Sequence, residues 1–302
     1  MGAVLQMKSE AGNSNRITRE YLDSLLIETR YMDAGIPDMT YTLFGESFRT
    51  PVMVAALSHL NYFMFEGASD MLARASAAAG AIQWIGMAEE KEIERCAELG
   101  SRLIEIIKPY QDREKIYRKI RHAESCGLLA VGVDIDHAFG GDGLLDVVDG
   151  ETMAPLTTDE LTEIRASTHL PFIVKGVLSK YDADRCAAAG ADGLVLSHHN
   201  NRIEFAVPPL MALPEIRKAQ PGIKLFVDCE ISSGMDGFKA LALGADGFCV
   251  GRPLMTAIKE NGEEGAKTYL EKIDKELRKA MAFTGTLDLQ SFDSSVIRHK
   301  DF

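Results

Sequence analysis

Two adjacent imidazoles, two amides and a guanidinium run together in the segment Ser197-His198-His199-Asn200-Asn201-Arg202. A histidine that titrates near neutral pH suits general-base work, and an arginine three residues on can share one substrate with it. A lone histidine is more often structural, so the segment gains meaning only from its neighbours. Other short apolar runs of the chain also end on ionisable residues: Lys108, Asp134, Lys175 and Asp228. Successive residues of a strand point to opposite faces, so only one of His198 and His199 can look toward a common centre. His199, Arg202, Lys175 and Asp134 are the set expected to converge there. Two loops are suited to a phosphate. Ser232-Ser233-Gly234 and Gly251-Arg252 each stand just ahead of a helical stretch, where free backbone N–H groups and the helix dipole attract anions. A phosphorylated ligand is implied.

The elements that must position these residues are legible as an alternation. From Pro51 onward, short apolar runs suited to strands buried on both faces alternate with longer, Ala-rich amphipathic stretches. The runs lie at 52–57, 81–86, 103–107, 129–134, 172–175, 193–197, 224–228 and 247–251. Helices are predicted over 66–79, 89–99, 112–125, 158–168, 180–189, 208–219, 234–243 and 252–259. Gly80, Gly100, Gly127, Gly190 and Gly244 fall where those helices should stop. Eight such units with short connections predict a closed (β/α)8 barrel, since an open doubly wound sheet more often has about five or six strands. That fold places chemistry at the C-terminal ends of its strands, where the polar residues above fall.

The rest of the chain is organised around the barrel. Residues 1–50 read as an arm, with a helical pattern over 19–29, that caps the barrel bottom; 51–260 form the barrel. Residues 261–302 hold a last helix over 263–283 and a polar tail, either mobile or docked on a neighbouring subunit. The long stretch 135–157 after the fourth run is a lid candidate.

A net charge of −12 over 302 residues excludes the electrostatic footprint of a nucleic-acid or anionic-membrane binder. No apolar run approaches the roughly 20 residues that span a bilayer, and the first fifteen residues lack a signal peptide's apolar core, so a cytosolic location is expected. Cys96, Cys126, Cys186, Cys229 and Cys249 show no finger or C-x-x-C spacing, so free thiols and no metal centre are expected.

The stretch Val174-Lys175-Gly176-Val177-Leu178, then AAGADGLVLSHHNNR at 188–202, then FVDCEISSGMDGFKALALGADGFCVGRP at 226–253, resembles the FMN-dependent α-hydroxy-acid oxidase and dehydrogenase family. Glycolate oxidase and lactate oxidase are members. Residues 51–56 and 110–113 also fit, and the likeness spans roughly 17–260. It implies an FMN at the barrel mouth with Lys175 beside the flavin ring, stabilising charge that develops on reduction. It implies that His199 is the base, that Asp134 favours the imidazolium, and that Arg202 grips the substrate carboxylate in a bidentate fork. Ser197, Asp228, Ser232 and Ser233 would contact the cofactor, with Gly234, Gly251 and Arg252 at its phosphate. A homotetramer is implied too, as is reoxidation by oxygen or another acceptor.

This chain departs from the family in three places. The family's Ser-Asn-His-Gly-x-Arg is Ser197–Arg202 here, with base and guanidinium kept; its Asp-Gly-Gly-x-Arg-Arg-Gly is Asp228-Cys229-Glu230-Ile231-Ser232-Ser233-Gly234, which loses two cations and gains a carboxylate. The family's substrate tyrosine has no counterpart, and Lys108 is the candidate replacement as a second cation for a carboxylate. The expected activity is oxidation of a small 2-hydroxy acid to the 2-keto acid. An FMN barrel with a different, isomerase-like reaction and a barrel that has lost FMN and acts as a binding subunit are the alternatives.

Overall fold

A computed structural model describes residues 12–300. Eight parallel strands form a closed barrel: β1 (Val52–Ser58), β2 (Ile82–Gly86), β3 (Arg102–Ile107), β4 (Ala130–Asp134), β5 (Phe172–Val177), β6 (Gly193–Leu196), β7 (Lys224–Val227) and β8 (Gly247–Val250). They neighbour one another in chain order, and β8 closes on β1 with Cys249 opposite Met53. Each strand leads into a helix of the outer ring: α1 (Ala68–Ala79), α2 (Glu90–Glu98), α3 (Arg113–Ser125), α4 (Thr158–Ala166), α5 (Lys180–Ala188), α6 (Pro209–Ala219), α7 (Gly234–Ala242) and α8 (Arg252–Phe283). The predicted (β/α)8 architecture is therefore the one the chain adopts.

Local chemistry explains most boundaries. Ser179, Ser233 and Asp112 cap α5, α7 and α3 by accepting a backbone N–H two or three residues on, and Thr157 with Glu160 forms a capping box at α4. The five glycines expected at helix ends all have positive φ, between 62° and 109°, which a side chain would resist. The last two predicted helices merge into α8, whose axis breaks at Asn261 and Gly262.

The barrel interior is filled at its lower half by inward side chains of β1, β2, β3, β5 and β7: Met53, Ile82, Trp84, Ile104, Ile173 and Phe226 are all buried. Trp84 stacks edge-on against Phe226, their centroids 5.1 Å apart. A hairpin, Tyr41–Leu43 with Glu46–Phe48, closes the bottom by adding Tyr41 and Leu43 to this cluster. The lower half of the barrel is thus a dry, apolar plug.

Three expectations are corrected. The arm's helix spans Ser14–Ser24 rather than 19–29, because Asn13 caps it by accepting from Arg16 N and Leu25–Ile27 turns into a strand. It runs beside the mouth, its start bonded to the loop after β6, so the arm serves both ends of the barrel. The tail docks on its own chain: Ile297–His299 pairs antiparallel with Leu25–Ile27, and Val296 is buried. Among the described residues, no helix is long and apolar enough to cross a membrane.

Gly132 in β4 is one glycine the barrel cannot replace. A Cβ there would lie 2.2 Å from the Ile173 carbonyl oxygen of β5, a backbone atom that cannot swing aside. Gly132→Ala is expected to lower unfolding stability by about 1–3 kcal/mol, measured by chemical denaturation.

Candidate active site

The register of the barrel decides which side chains meet. Lys175 lies directly opposite Asp134 across the β5–β4 pairing, one strand from Ser197 at the end of β6. Lys175 Nζ donates to Ser197 Oγ at 3.2 Å and stands 3.6 Å from Asp228 and 3.9 Å from Asp134. Lys108, from the end of β3, donates to the other oxygen of Asp134 at 2.5 Å. These groups are almost solvent-free. Burial works against the charge on Asp134, yet the two ammonium groups and His199 hold its carboxyl well below the ordinary value. Burial likewise opposes the Lys175 charge, and the carboxylates of Asp134, Asp228 and Asp136 outweigh it, so Lys175 is held firmly as the ammonium.

His199 projects from a turn in which it, Asn200 and Asn201 all adopt left-handed backbone, with φ of 49°, 56° and 65°. Asparagine tolerates that region better than most residues, and a histidine there is strained. The turn is fixed from outside. His198 points away from the mouth, its Nδ1 accepting from Asn201 N at 3.1 Å and its Nε2 2.9 Å from Thr18 Oγ1, while Asn201 Oδ1 accepts from Ser14 N at 2.8 Å. One imidazole faces the site and its neighbour holds the loop, as expected, but both lie past the end of β6 at Leu196, so the left-handed turn and not strand alternation separates them.

Asp136, which the sequence reading overlooked, is the closer partner of His199. Nδ1 of the imidazole lies 2.8 Å from Asp136 Oδ1 and 3.4 Å from Asp134 Oδ2. Nothing in the strand pattern pointed to it, because β4 ends at Asp134 and Asp136 lies in the turn that follows. Gly176 makes room: a Cβ there would come within 2.5 Å of the Asp136 carboxyl carbon. Burial and the adjacent Asp134 charge push the Asp136 carboxyl above its ordinary value. For His199, burial and Lys175 disfavour the cation, but Asp134 and the bonds to both carboxylates prevail and raise its pKa. His137 packs edge-on to His199 with centroids 4.6 Å apart; burial and the nearby cations push it down to about 3, so this second ring is neutral.

A cavity of about 750 Å³ opens above these groups. Ala55, Ala56 and Leu57 of β1 form one wall, Lys175 and His199 the floor, and Glu230, Gly251, Arg252 and Tyr269 the outer end. Asp228, Ser232, Gly251 and Arg252 line it as expected. Six candidate residues do not: Asp134, Ser197, Ser233, Gly234, Lys108 and Arg202. Ser197 is buried beneath Lys175, where its hydroxyl also accepts from His199 N at 3.0 Å, so it positions both cations instead of facing the cavity. Ser233 caps α7 through Asp236, and Gly234 packs against α8, where a Cβ would sit 2.3 Å from Ile273 O. Lys108 is consumed by Asp134 and offers no second cation to a substrate.

Arg202 is not exposed to the cavity either. Its guanidinium is held by the Asp146 carboxylate and the Phe139 carbonyl, both from the stretch after β4 that includes the small hairpin Val147–Val148 with Glu151–Thr152. Asp146 also lies 3.0 Å from His137. The insertion thus brings a carboxylate of the chain to the guanidinium expected to bind that of a substrate. Removing Lys108 should expose the dependence of this network on balance: Lys108→Met is expected to cost on the order of 3 kcal/mol in chemical denaturation, because it leaves a buried carboxylate short of one counter-charge.

Comparison with known proteins agrees with this architecture. Residues 3–155 and 145–299 match the family described as FMN-dependent dehydrogenase. Glycolate oxidase of Spinacia oleracea is 30% identical over 298 residues, covering 86% of this chain and 80% of its own. The 4-hydroxymandelate oxidase of Amycolatopsis orientalis is 31% identical over 278 residues, covering 80% and 78%. Among solved structures, a mandelate oxidase variant with (S)-mandelic acid superposes with a TM-score of 0.85 at 30% identity, covering 96% of this chain and 90% of that one. Another, carrying a monooxide FMN adduct, reaches 0.86. With matching fold, converging mouth residues and near full-length similarity, the chain belongs to the FMN-dependent dehydrogenase family.

Proposed function

We propose that this protein oxidises the α-carbon of a small 2-hydroxy acid to the 2-keto acid, with FMN as its resident cofactor. The observation that carries the reading is a histidine braced by two carboxylates on the floor of a cavity that a buried lysine shares. The residues fit a flavin. The cavity is large enough for one, its β1 wall offers small side chains at Ala55 and Ala56, Lys175 is a permanent buried cation at the floor, and Arg252 stands at the outer end. When bound, FMN supplies the acceptor for the two electrons leaving the substrate.

The chain's own groups do the rest. Nδ1 of His199 faces Asp136 and Asp134, which leaves Nε2 to take the substrate proton; the carboxylates then favour the imidazolium. Lys175 provides fixed positive charge where negative charge develops. Arg202 binds the substrate carboxylate, which exchanges with Asp146 on the same guanidinium. His137, neutral and beside His199, adds a hydrogen-bonding ring to the mouth without adding charge. Oxygen or another acceptor completes the turnover, and the protein works as a homo-oligomer. An isomerase-like reaction gains no support from a base and guanidinium so placed.

Anaerobic addition of lactate, glycolate or mandelate to the purified yellow protein should bleach the flavin with at least one of them; no bleaching across a broad hydroxy-acid panel would refute the reaction. His199→Ala should keep the flavin and lose at least about 100-fold in the bleaching rate. The pH profile carries a sign. Only neutral His199 accepts a proton, so kcat/KM falls as pH drops through a value above that of an ordinary imidazole. Asp136→Asn removes a carboxylate that favours the cation, and the acid limb should move to lower pH, by on the order of one unit. An unmoved limb would exclude Asp136 from the role.

A further inference from the structure

The two ends of the cavity treat charge differently. At the floor, Lys175 is held between carboxylates and cannot leave. At the outer end, Arg252 and two backbone N–H groups around the start of α7 already hold carboxylates of the chain, while the Tyr269 hydroxyl donates to the Ser232 carbonyl at 2.8 Å. Arg252 is paired with Glu230, and both line the cavity. Ser232 N donates to Asp236 at 3.2 Å, and Gly234 N donates to Glu276 of α8 at 2.9 Å. Arg19, the cation behind this loop, is forked onto Asp236 at 2.8 and 3.1 Å. The charged carboxylate and cationic side chains lining the cavity are Lys175 and Arg252 against Asp228, Glu230 and Glu260, so the lining has no surplus positive charge.

A flavin phosphate brings a charge of about −1.5 to −2 near neutral pH. To reach Arg252 it must replace Glu230, exchanging one charge-assisted pair for another, and then share the site with the displaced carboxylate. Glu230 is not free to retreat far: its backbone is left-handed, φ 60°, and its carbonyl accepts from Arg19 at 3.1 Å. We propose that Glu230 is a built-in competitor for the flavin's phosphate, and that the chain therefore holds FMN and its dephosphorylated form, riboflavin, with similar affinity. The inference rests on the flavin reading above and names the residue that sets how much the phosphate contributes.

The test is titration of the full-length, deflavinated protein with FMN and with riboflavin, followed by quenching of flavin fluorescence. The two dissociation constants are expected to lie within about tenfold of each other. Glu230→Gln should tighten FMN at least about fivefold and leave riboflavin unchanged. Arg252→Met should weaken FMN more in the Glu230→Gln background than alone, the signature of a coupled pair. A preference for FMN of about 100-fold or more in the unaltered protein, or a Glu230→Gln effect equal for both flavins, overturns the proposal. Uptake of neither flavin overturns it together with the cofactor reading. A chain that strongly prefers FMN yet is bleached by a hydroxy acid loses this inference and keeps its reaction; one that holds both flavins equally but is bleached by nothing loses the reaction and keeps the inference.

Discussion

Asp134 is the charge on which the mouth of this barrel is built. It ends β4 in a place with almost no water, where an isolated carboxylate would protonate rather than stay charged. Lys108 from β3, Lys175 from β5 and the imidazole from the loop after β6 supply the compensation, so one anion ties four consecutive strands together. Two of the cations have a second carboxylate, Lys175 with Asp228 at 3.6 Å and His199 with Asp136 at 2.8 Å. The geometry that orients His199 therefore follows from the compensation of Asp134 together with the closer Asp136 contact. That is why Lys108, which touches neither the cavity nor His199, still belongs to the site.

The barrel was legible because its cause is local and repeated. Runs such as Phe172–Val177 are apolar on both faces, and a capping serine or a stop glycine brackets nearly every helix, so eight weak signals agree on one architecture. The arm was misread for the same reason in reverse. Its helix boundary depends on Asn13 capping from one side and on a strand partner, Ile297–His299, from the far end of the chain. No window of neighbouring residues contains that partner.

At the site, residue types were readable and their engagements were not. The strand-end rule located His199, Asp134 and Lys175, whereas the left-handed turn after β6, and not the strand pleat, separates His199 from His198. Whether a charged group is available is a different question, settled by what else reaches it in three dimensions. Lys108 looked like a free cation until β4 placed Asp134 on it, and Ser197 looked like a ligand contact until β5 placed Lys175 over it. Asp136 shows the complementary failure. Its importance depends on Gly176, forty residues along the chain, leaving a gap wide enough for a carboxylate to pass.

Asp146 and Glu230 show one device used twice. Each is a carboxylate of the chain resting on a guanidinium, Arg202 or Arg252, to which the proposed function assigns an anionic ligand. In the absence of ligand such a pair spares the arginine an uncompensated position and keeps the fork oriented. In its presence the carboxylate becomes a competitor, so the ligand is bound by exchange, and its gain is only the difference between two similar contacts. The two exchanges differ in what surrounds them. Asp146 is held within the insertion, its N–H donating to Ala138 O and its carbonyl accepting from Met153 N, whereas Glu230 lies between β7 and α7 with its carbonyl engaged by Arg19. In both, the backbone of the displaced carboxylate stays anchored, so its charge remains near the guanidinium it leaves.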